Sequence, residues 1–156
     1  MALAAVLAAG ASSSLSLVHP WGSLRAARGA PILAGSTVTP EVRQVLEGKC
    51  ADCHSSNTRW PAYSRLAPGS WLMEHDVHAA RVAMNLSNWP QMEPDEQTRL
   101  LASIAAEVAN RRMPVRQYLL LHPSARLTDA ERKSVIAWTH DERRRIRFAA
   151  RAKETP

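Results

Sequence analysis

The feature that most constrains this chain is Cys50-Ala51-Asp52-Cys53-His54, a C-x-x-C-H run. Two thiols at i and i+3 on one helical turn can each add to one vinyl group of a porphyrin. The histidine that follows then lies under the ring with a nitrogen aimed at iron. Neither spacing has slack, because the macrocycle fixes the separation of its vinyl groups. The motif predicts one covalently attached haem c per chain. Three other readings compete. A thioredoxin-like redox pair belongs in a βαβ setting. A zinc half-site wants two more ligands, for which His75 and His78 are at hand. An exported chain can also close the two cysteines into a plain disulfide.

The rest of the sequence sets the motif among helices. Thr39 can cap a helix whose first turn suits Pro40, and Val42, Val45 and Leu46 then share one face. Gly48 and the cysteines end it. Pro61, Pro68, Trp60 and Tyr63 make residues 56–69 an ordered loop. A helical pattern over 71–86 carries Leu72, Val82 and Leu86, and Trp89-Pro90 and Pro94 break it. Leu101, Ile104, Ala105 and Val108 give residues 95–110 an amphipathic face that Met113-Pro114 stops. Thr128 with Glu131 is a capping box; it opens a last helix buried through Val135, Ala137 and Trp138 and prolonged by Ile146. No alternating β-branched run occurs, so the spacing predicts an all-α domain. With 156 residues, 46% hydrophobic and 22% charged, one globular domain with flanks is expected. A polytopic membrane protein is excluded, since no run of about 18–20 apolar residues is present.

The flanks differ from the body. Residues 1–18 are Ala-, Leu- and Ser-rich and uncharged, near the lower limit for spanning a bilayer and similar to the apolar region of an export signal. The expected division is therefore 1–30 as export signal or N-terminal membrane anchor, 31–38 as linker, 39–140 as the monohaem domain and 141–156 as a basic tail. The formal charge is +6, and arginine dominates the basic residues, which invites a nucleic-acid reading. That charge sits at the ends, however. Residues 31–130 carry as many acidic as basic side chains, whereas the tail holds Arg143-Arg144-Arg145-Ile146-Arg147. Nucleic acid is not an expected partner; anionic lipid or an acidic redox protein is.

Haem iron commonly takes a second axial ligand. Met113 is the preferred candidate, because it follows a helix and Pro114 stiffens the loop that holds it. It also lies far enough beyond His54 for the chain to wrap the other face of the ring. Met73 and Met84 fall within a helical pattern and read as core. Met92 sits in a Pro-flanked loop, and His75, His78 and His122 are weaker alternatives, His122 being the strongest of them.

Residues 50–72 (CADCHSSNTRWPAYSRLAPGSWL) resemble the bacterial haem-binding domain family, whose members share C-x-D-C-H-S-N-x-T-R-W-P-x-Y-S and then A-P-x-S-W-L. The resemblance continues at Asp76-Val77, Leu86, Asn88-Trp89, Arg112-Met113-Pro114, Tyr118, Leu121-His122-Pro123, Ala125, Leu127, Ile136 and Trp138. It covers about residues 40–140. It implies a small monohaem protein similar to class I cytochromes c, exported and often tethered at its N-terminus. Ala51 and Ala62 stand where the family often carries aromatic residues, and Ser56 replaces a common Asn. None of the three touches the attachment chemistry. Within the loop, Arg59 and Trp60 are candidates to meet a haem propionate, weighed against a surface ion pair and a core tryptophan. A carbonyl near Pro61 or Pro68 is expected to accept the Nδ1 proton of His54.

The expected function is one-electron transfer, with redox proteins as partners in the periplasm or its extracytoplasmic equivalent. A gas or peroxide sensor or haem enzyme with an open sixth position is the alternative, and a zinc or disulfide interaction module a further one. No Gly-rich phosphate loop, G-x-S-x-G or H-E-x-x-H occurs. Asp95 and Glu96 complement a helix dipole, so an enzyme is not expected.

Overall fold

The computed structural model describes residues 1–22 and 24–154. Ser23, in the expected export segment, and Thr155 and Pro156, at the end of the expected tail, lie outside the described residues. Among the described residues every regular element is helical. α1 spans Ala2–Leu15, α2 Pro40–Lys49, α3 Ala51–His54, α4 Gly69–Ala83, α5 Pro94–Ala109, α6 Arg116–Leu121 and α7 Asp129–Glu154. Short 3-10 turns link several of them, including Leu86–Gln91 after α4.

Local chemistry sets the helix starts. Thr39 Oγ1 accepts from the Val42 N–H at 3.4 Å, with Pro40 behind it in the first turn of α2. At α7 the capping box closes both ways. Glu131 N–H donates to Thr128 Oγ1 (3.2 Å) and Thr128 N–H to Glu131 Oε2 (2.8 Å). Lys49 Nζ joins from the end of α2, 2.7 Å from Glu131 Oε2, so this cap also ties α2 to α7.

α5 and α7 form the main helix pair. Leu101, Ile104 and Val108 are buried with Val135, Trp138 and Ile146, and α2 adds Val42, Val45 and Leu46. Each such side chain contributes roughly 1.5–3 kcal/mol by leaving water. Trp138 Nε1 donates to the Thr37 carbonyl at 2.9 Å, which satisfies its one polar atom inside the core.

α4 has a different inner face from the one its apolar residues suggest. Leu72 and Val82 are exposed, and Ser70, Met73, Glu74 and Val77 are buried. These sit at i, i+3, i+4 and i+7, an ordinary helical stripe whose pattern is masked because two of its members are polar. Leu86 is buried, but in the 3-10 turn beyond the helix. α5 also stops earlier than Pro114 requires. Arg111 adopts φ of 55°, and the Arg111 and Arg112 N–H groups donate back to the Val108 and Glu107 carbonyls at 3.2 and 2.9 Å. This is a Schellman reversal with arginine where glycine is usual.

The N-terminal segment lies against α4. Ser12 Oγ donates to the Ala67 carbonyl (2.6 Å), Ala67 N–H to Ser16 Oγ (2.8 Å), and Trp71 Nε1 to the Val18 carbonyl (2.9 Å). Glu74, fully buried, accepts from Arg25 Nε at 3.0 Å and faces His19 Nδ1 at 3.0 Å. Arg25 also donates to the Ser64 carbonyl and stacks over the Trp60 ring at 4.4 Å. Further on, Ile32 and Leu33 enter the core, with Leu33 N–H bonded to the Leu86 carbonyl at 3.0 Å. The segment expected as a linker thus supplies core side chains. α1 itself buries no residue. Among the described residues no helix is long and apolar enough to cross a membrane.

Candidate functional site

α2 delivers the C-x-x-C-H run. Its last hydrogen bond joins Cys50 N–H to the Leu46 carbonyl (3.0 Å), and the Cys53 and His54 N–H groups then both donate to the Cys50 carbonyl (3.2 and 3.0 Å). The single turn of α3 places Cys50, Cys53 and His54 together in the wall of one cavity of about 310 Å³. The two thiols are not joined to each other.

The loop after the motif is held by its own polar groups. Asp52 accepts from Arg59 Nε (3.0 Å), Arg59 Nη2 (3.1 Å) and the Arg59 N–H (3.1 Å). Thr58 Oγ1 donates to the Asp52 carbonyl at 2.6 Å. Arg81 reaches over from α4, with Nε on the Ser55 carbonyl at 2.8 Å and Nη2 on Thr58 Oγ1 at 3.0 Å. Arg59 is therefore an exposed ion-pair partner of Asp52, and Trp60 is the surface on which Arg25 stacks.

His54 Nδ1 lies 3.1 Å from the Met84 carbonyl. A carbonyl can only accept, so Nδ1 carries the proton and Nε2 keeps a free lone pair. The expectation of an acceptor near Pro61 or Pro68 is corrected. α4 ends at Ala83, Met84 is extended, and a carbonyl at a helix C-terminus has no partner within the helix. Burial holds the His54 imidazole below its ordinary pKa, against smaller opposing effects from the Met84 and Ala80 carbonyls. Burial likewise pushes the Cys50 thiol up to about 12, helped by the neighbouring Cys53. It pushes Cys53 up to about 11, helped by Asp52 and Asp76. All three groups are neutral at pH 7.

The cavity continues onto α4 through Ala79, Ala80 and Ala83, and onto the chain after α5 through Met113, Pro114 and Val115. The Schellman reversal at Arg111 turns the backbone so that Met113 reaches it. Tyr118 of α6 closes another side, and burial raises its phenol to about 12, with further contributions from Asp52 and Cys53. Lys49, Asp52 and Asp76 are the charged side chains in the lining.

The structure thus brings Cys50, Cys53, His54 and Met113 to one cavity and sorts the alternatives. Met73 is buried in the core, and Met84 and Met92 pack partly buried against it. His75 is exposed and bonded to Asp76 at 3.1 Å. His122 stacks on Tyr118, with ring centroids 4.2 Å apart, and lies 2.9 Å from the Tyr63 hydroxyl. Sequence reasoning missed the Met84 carbonyl and the alanine wall of α4. The carbonyl has no sequence signal, whereas small residues at 79, 80 and 83 repeat at helical spacing and were there to be read.

The donor set fits haem. It combines a neutral imidazole with Nε2 free, two protonated thiols on the same wall, a thioether in the same cavity and a largely apolar surround. Among the described residues no group of three Cys, His, Asp or Glu side chains is placed to hold a metal ion by itself. The family model described as a haem-binding domain matches residues 16–141. No curated protein and no solved structure matches the chain.

Proposed function

Because this chain belongs to the haem-binding domain family, matched over residues 16–141, we propose that it holds its haem covalently through Cys50 and Cys53. In this reading His54 and Met113 would hold the iron, and the protein passes single electrons at the outer face of the cytoplasmic membrane. The observation that carries the reading is the single cavity lined by Cys50, Cys53, His54 and Met113. Haem iron, when bound, supplies a one-electron Fe(II)/Fe(III) couple.

The chain's own residues do the remaining work. Cys50 and Cys53 would each hold the haem through a thioether bond, for which an S–H that adds across a C=C bond, sulfur to one carbon and hydrogen to the other, requires no oxidant. The Met84 carbonyl holds the Nδ1 proton of His54 and so fixes which nitrogen faces the iron and how the ring is turned. A thioether ligand favours the reduced state relative to a second imidazole and raises the potential. Ala79, Ala80 and Ala83 offer a smooth apolar wall that excludes water. With both His54 and Met113 engaged on the iron, no position would be left for a substrate, and the partners would be redox proteins that dock transiently.

Location follows from the same chemistry, since covalent haem attachment takes place outside the cytoplasm, and residues 1–18 offer an export route. α1 is about 21 Å long at 1.5 Å per residue, short of a hydrocarbon core of roughly 30 Å. A retained α1 would therefore lie in the membrane interface. A second reading, a sensor or enzyme with an open sixth position, draws support from Asp76, which lines the cavity and bonds His75.

The ferric spectrum and a redox titration of the haem-loaded protein test the choice. Methionine ligation gives a charge-transfer band at the red edge of the visible spectrum, with a reversible one-electron wave. A ferric protein that lacks the band and binds cyanide or nitric oxide at once has an open position, and electron transfer through a closed site is then wrong.

A further inference from the structure

The second half of α7 is two-faced. Val135, Trp138, Thr139, Glu142 and Ile146 are buried, and at 3.6 residues per turn they fall within about 100° of arc. His140, Arg147 and Arg151 fall well away from that arc, and Arg143 lies at its flank. Together with Arg144 and Phe148 they line a shallow groove of about 420 Å³. Nearby acids are already engaged: Asp141 with Arg144 at 2.8 Å, and Glu142 with Arg145 at 2.6 Å. Among the described residues neither Arg143 nor Arg147 has a carboxylate partner, and the buried Arg143 Nε has no acceptor. Phe148 stands 76% exposed in this cationic row.

We infer that this stripe is a docking surface for an anionic phospholipid bilayer. Its charge is complementary to lipid phosphates, and clustered arginines near such a surface each add favourable binding. Phe148 favours a bilayer over an acidic protein, because an aromatic ring among basic residues can enter the boundary between headgroups and acyl chains. α1, uncharged with no buried residue, is a second lipid-compatible element at the other end of the chain. Most of the stripe lies beyond residue 141, where the family match ends. The surface extends the membrane-face reading above and specifies what holds the protein there.

The test uses the full chain with vesicles of neutral phosphatidylcholine alone or mixed with anionic phosphatidylglycerol. The wild type partitions preferentially onto anionic vesicles and is released by salt. The variant R143Q/R147Q/R151Q partitions more than about tenfold more weakly. F148A binds several-fold less with an unchanged salt dependence. R147Q/R151Q, confined to exposed positions, serves if the triple variant fails to fold. Equal binding to both vesicle types, or undiminished binding by the arginine variants, overturns the inference. Retention on an acidic polypeptide without binding to anionic vesicles also overturns it and assigns the stripe to a protein. Haem absorbance is recorded in parallel. Its loss counts against the haem reading and leaves the vesicle result standing.

Discussion

At His54 a single backbone carbonyl decides which imidazole nitrogen faces the cavity. The Met84 carbonyl takes the Nδ1 proton, so the ring is oriented before any haem arrives. The Met113 thioether, in the same cavity, is the adjustable part of the proposed site. Met113→Ala is expected to keep the haem attached, abolish the methionine charge-transfer band and lower the reduction potential; an intact band assigns the ligand elsewhere. Arg111 is a second residue whose conformation matters, with a left-handed φ of 55°. Arg111→Gly relieves strain at the reversal that presents Met113. It is expected to raise stability by about 1 kcal/mol in urea unfolding, after a small loss from the exposed Asp129 pair. That Cys50, Cys53, His54 and Met113 would meet in one cavity was legible, because the C-x-x-C-H spacing marks the first three and Pro114 after a helix marks Met113. The carbonyl that orients His54 belongs to a methionine whose side chain points to a different role, so no pattern reveals it.

Among the elements, α2 and α5 could be read from their apolar inner faces, and α7 from the Thr128 cap with Val135, Trp138 and Ile146. Ala137, expected inside α7, is nevertheless exposed, and Thr139 and Glu142 are buried in its place. α4 could be recognised as a helix but not oriented, because Ser70 and Glu74 occupy half of its inner stripe. α6 escaped notice: Leu120 and Leu121 are exposed, and six residues are too few for a periodicity to emerge. The attachment of His19 and Arg25 to α4 was also invisible, as it depends on a buried carboxylate meeting residues some fifty positions away. Arg25→Ala leaves Glu74 short of its main cation and is expected to cost about 3 kcal/mol in urea unfolding. Unchanged stability would mean that the segment is not needed by the fold. At the α2–α7 junction the Glu131 carboxyl is held below its ordinary pKa of 4.5, chiefly by the Lys49 hydrogen bond, with burial opposing it and Thr128 adding further lowering. A depressed carboxyl stabilises the fold above the unfolded value and loses that contribution as pH falls through the folded one. Glu131→Gln is therefore expected to cost about 1 kcal/mol at neutral pH, with the difference closing in acid. A difference that stays constant down to acid pH assigns the loss to packing.

Across the whole molecule, charge and chemistry are segregated. The body between residues 31 and 130 is balanced in charge and holds the cavity, while the basic excess lies in the two flanks. Composition alone invites a nucleic-acid reading; the placement of charge on the outer face of α7 is the ground for the lipid surface we propose instead. The central claim is that Cys50 and Cys53 bind the haem covalently, and denaturing extraction tests it most directly. The full chain is produced alongside c-type maturation machinery, treated with acidic organic solvent, and its intact mass is measured. The account predicts that the colour stays with the polypeptide, whose mass increases by one haem, and that C50S/C53S releases its haem completely. A wild-type chain that binds haem yet gives all of it up to the solvent contradicts the claim.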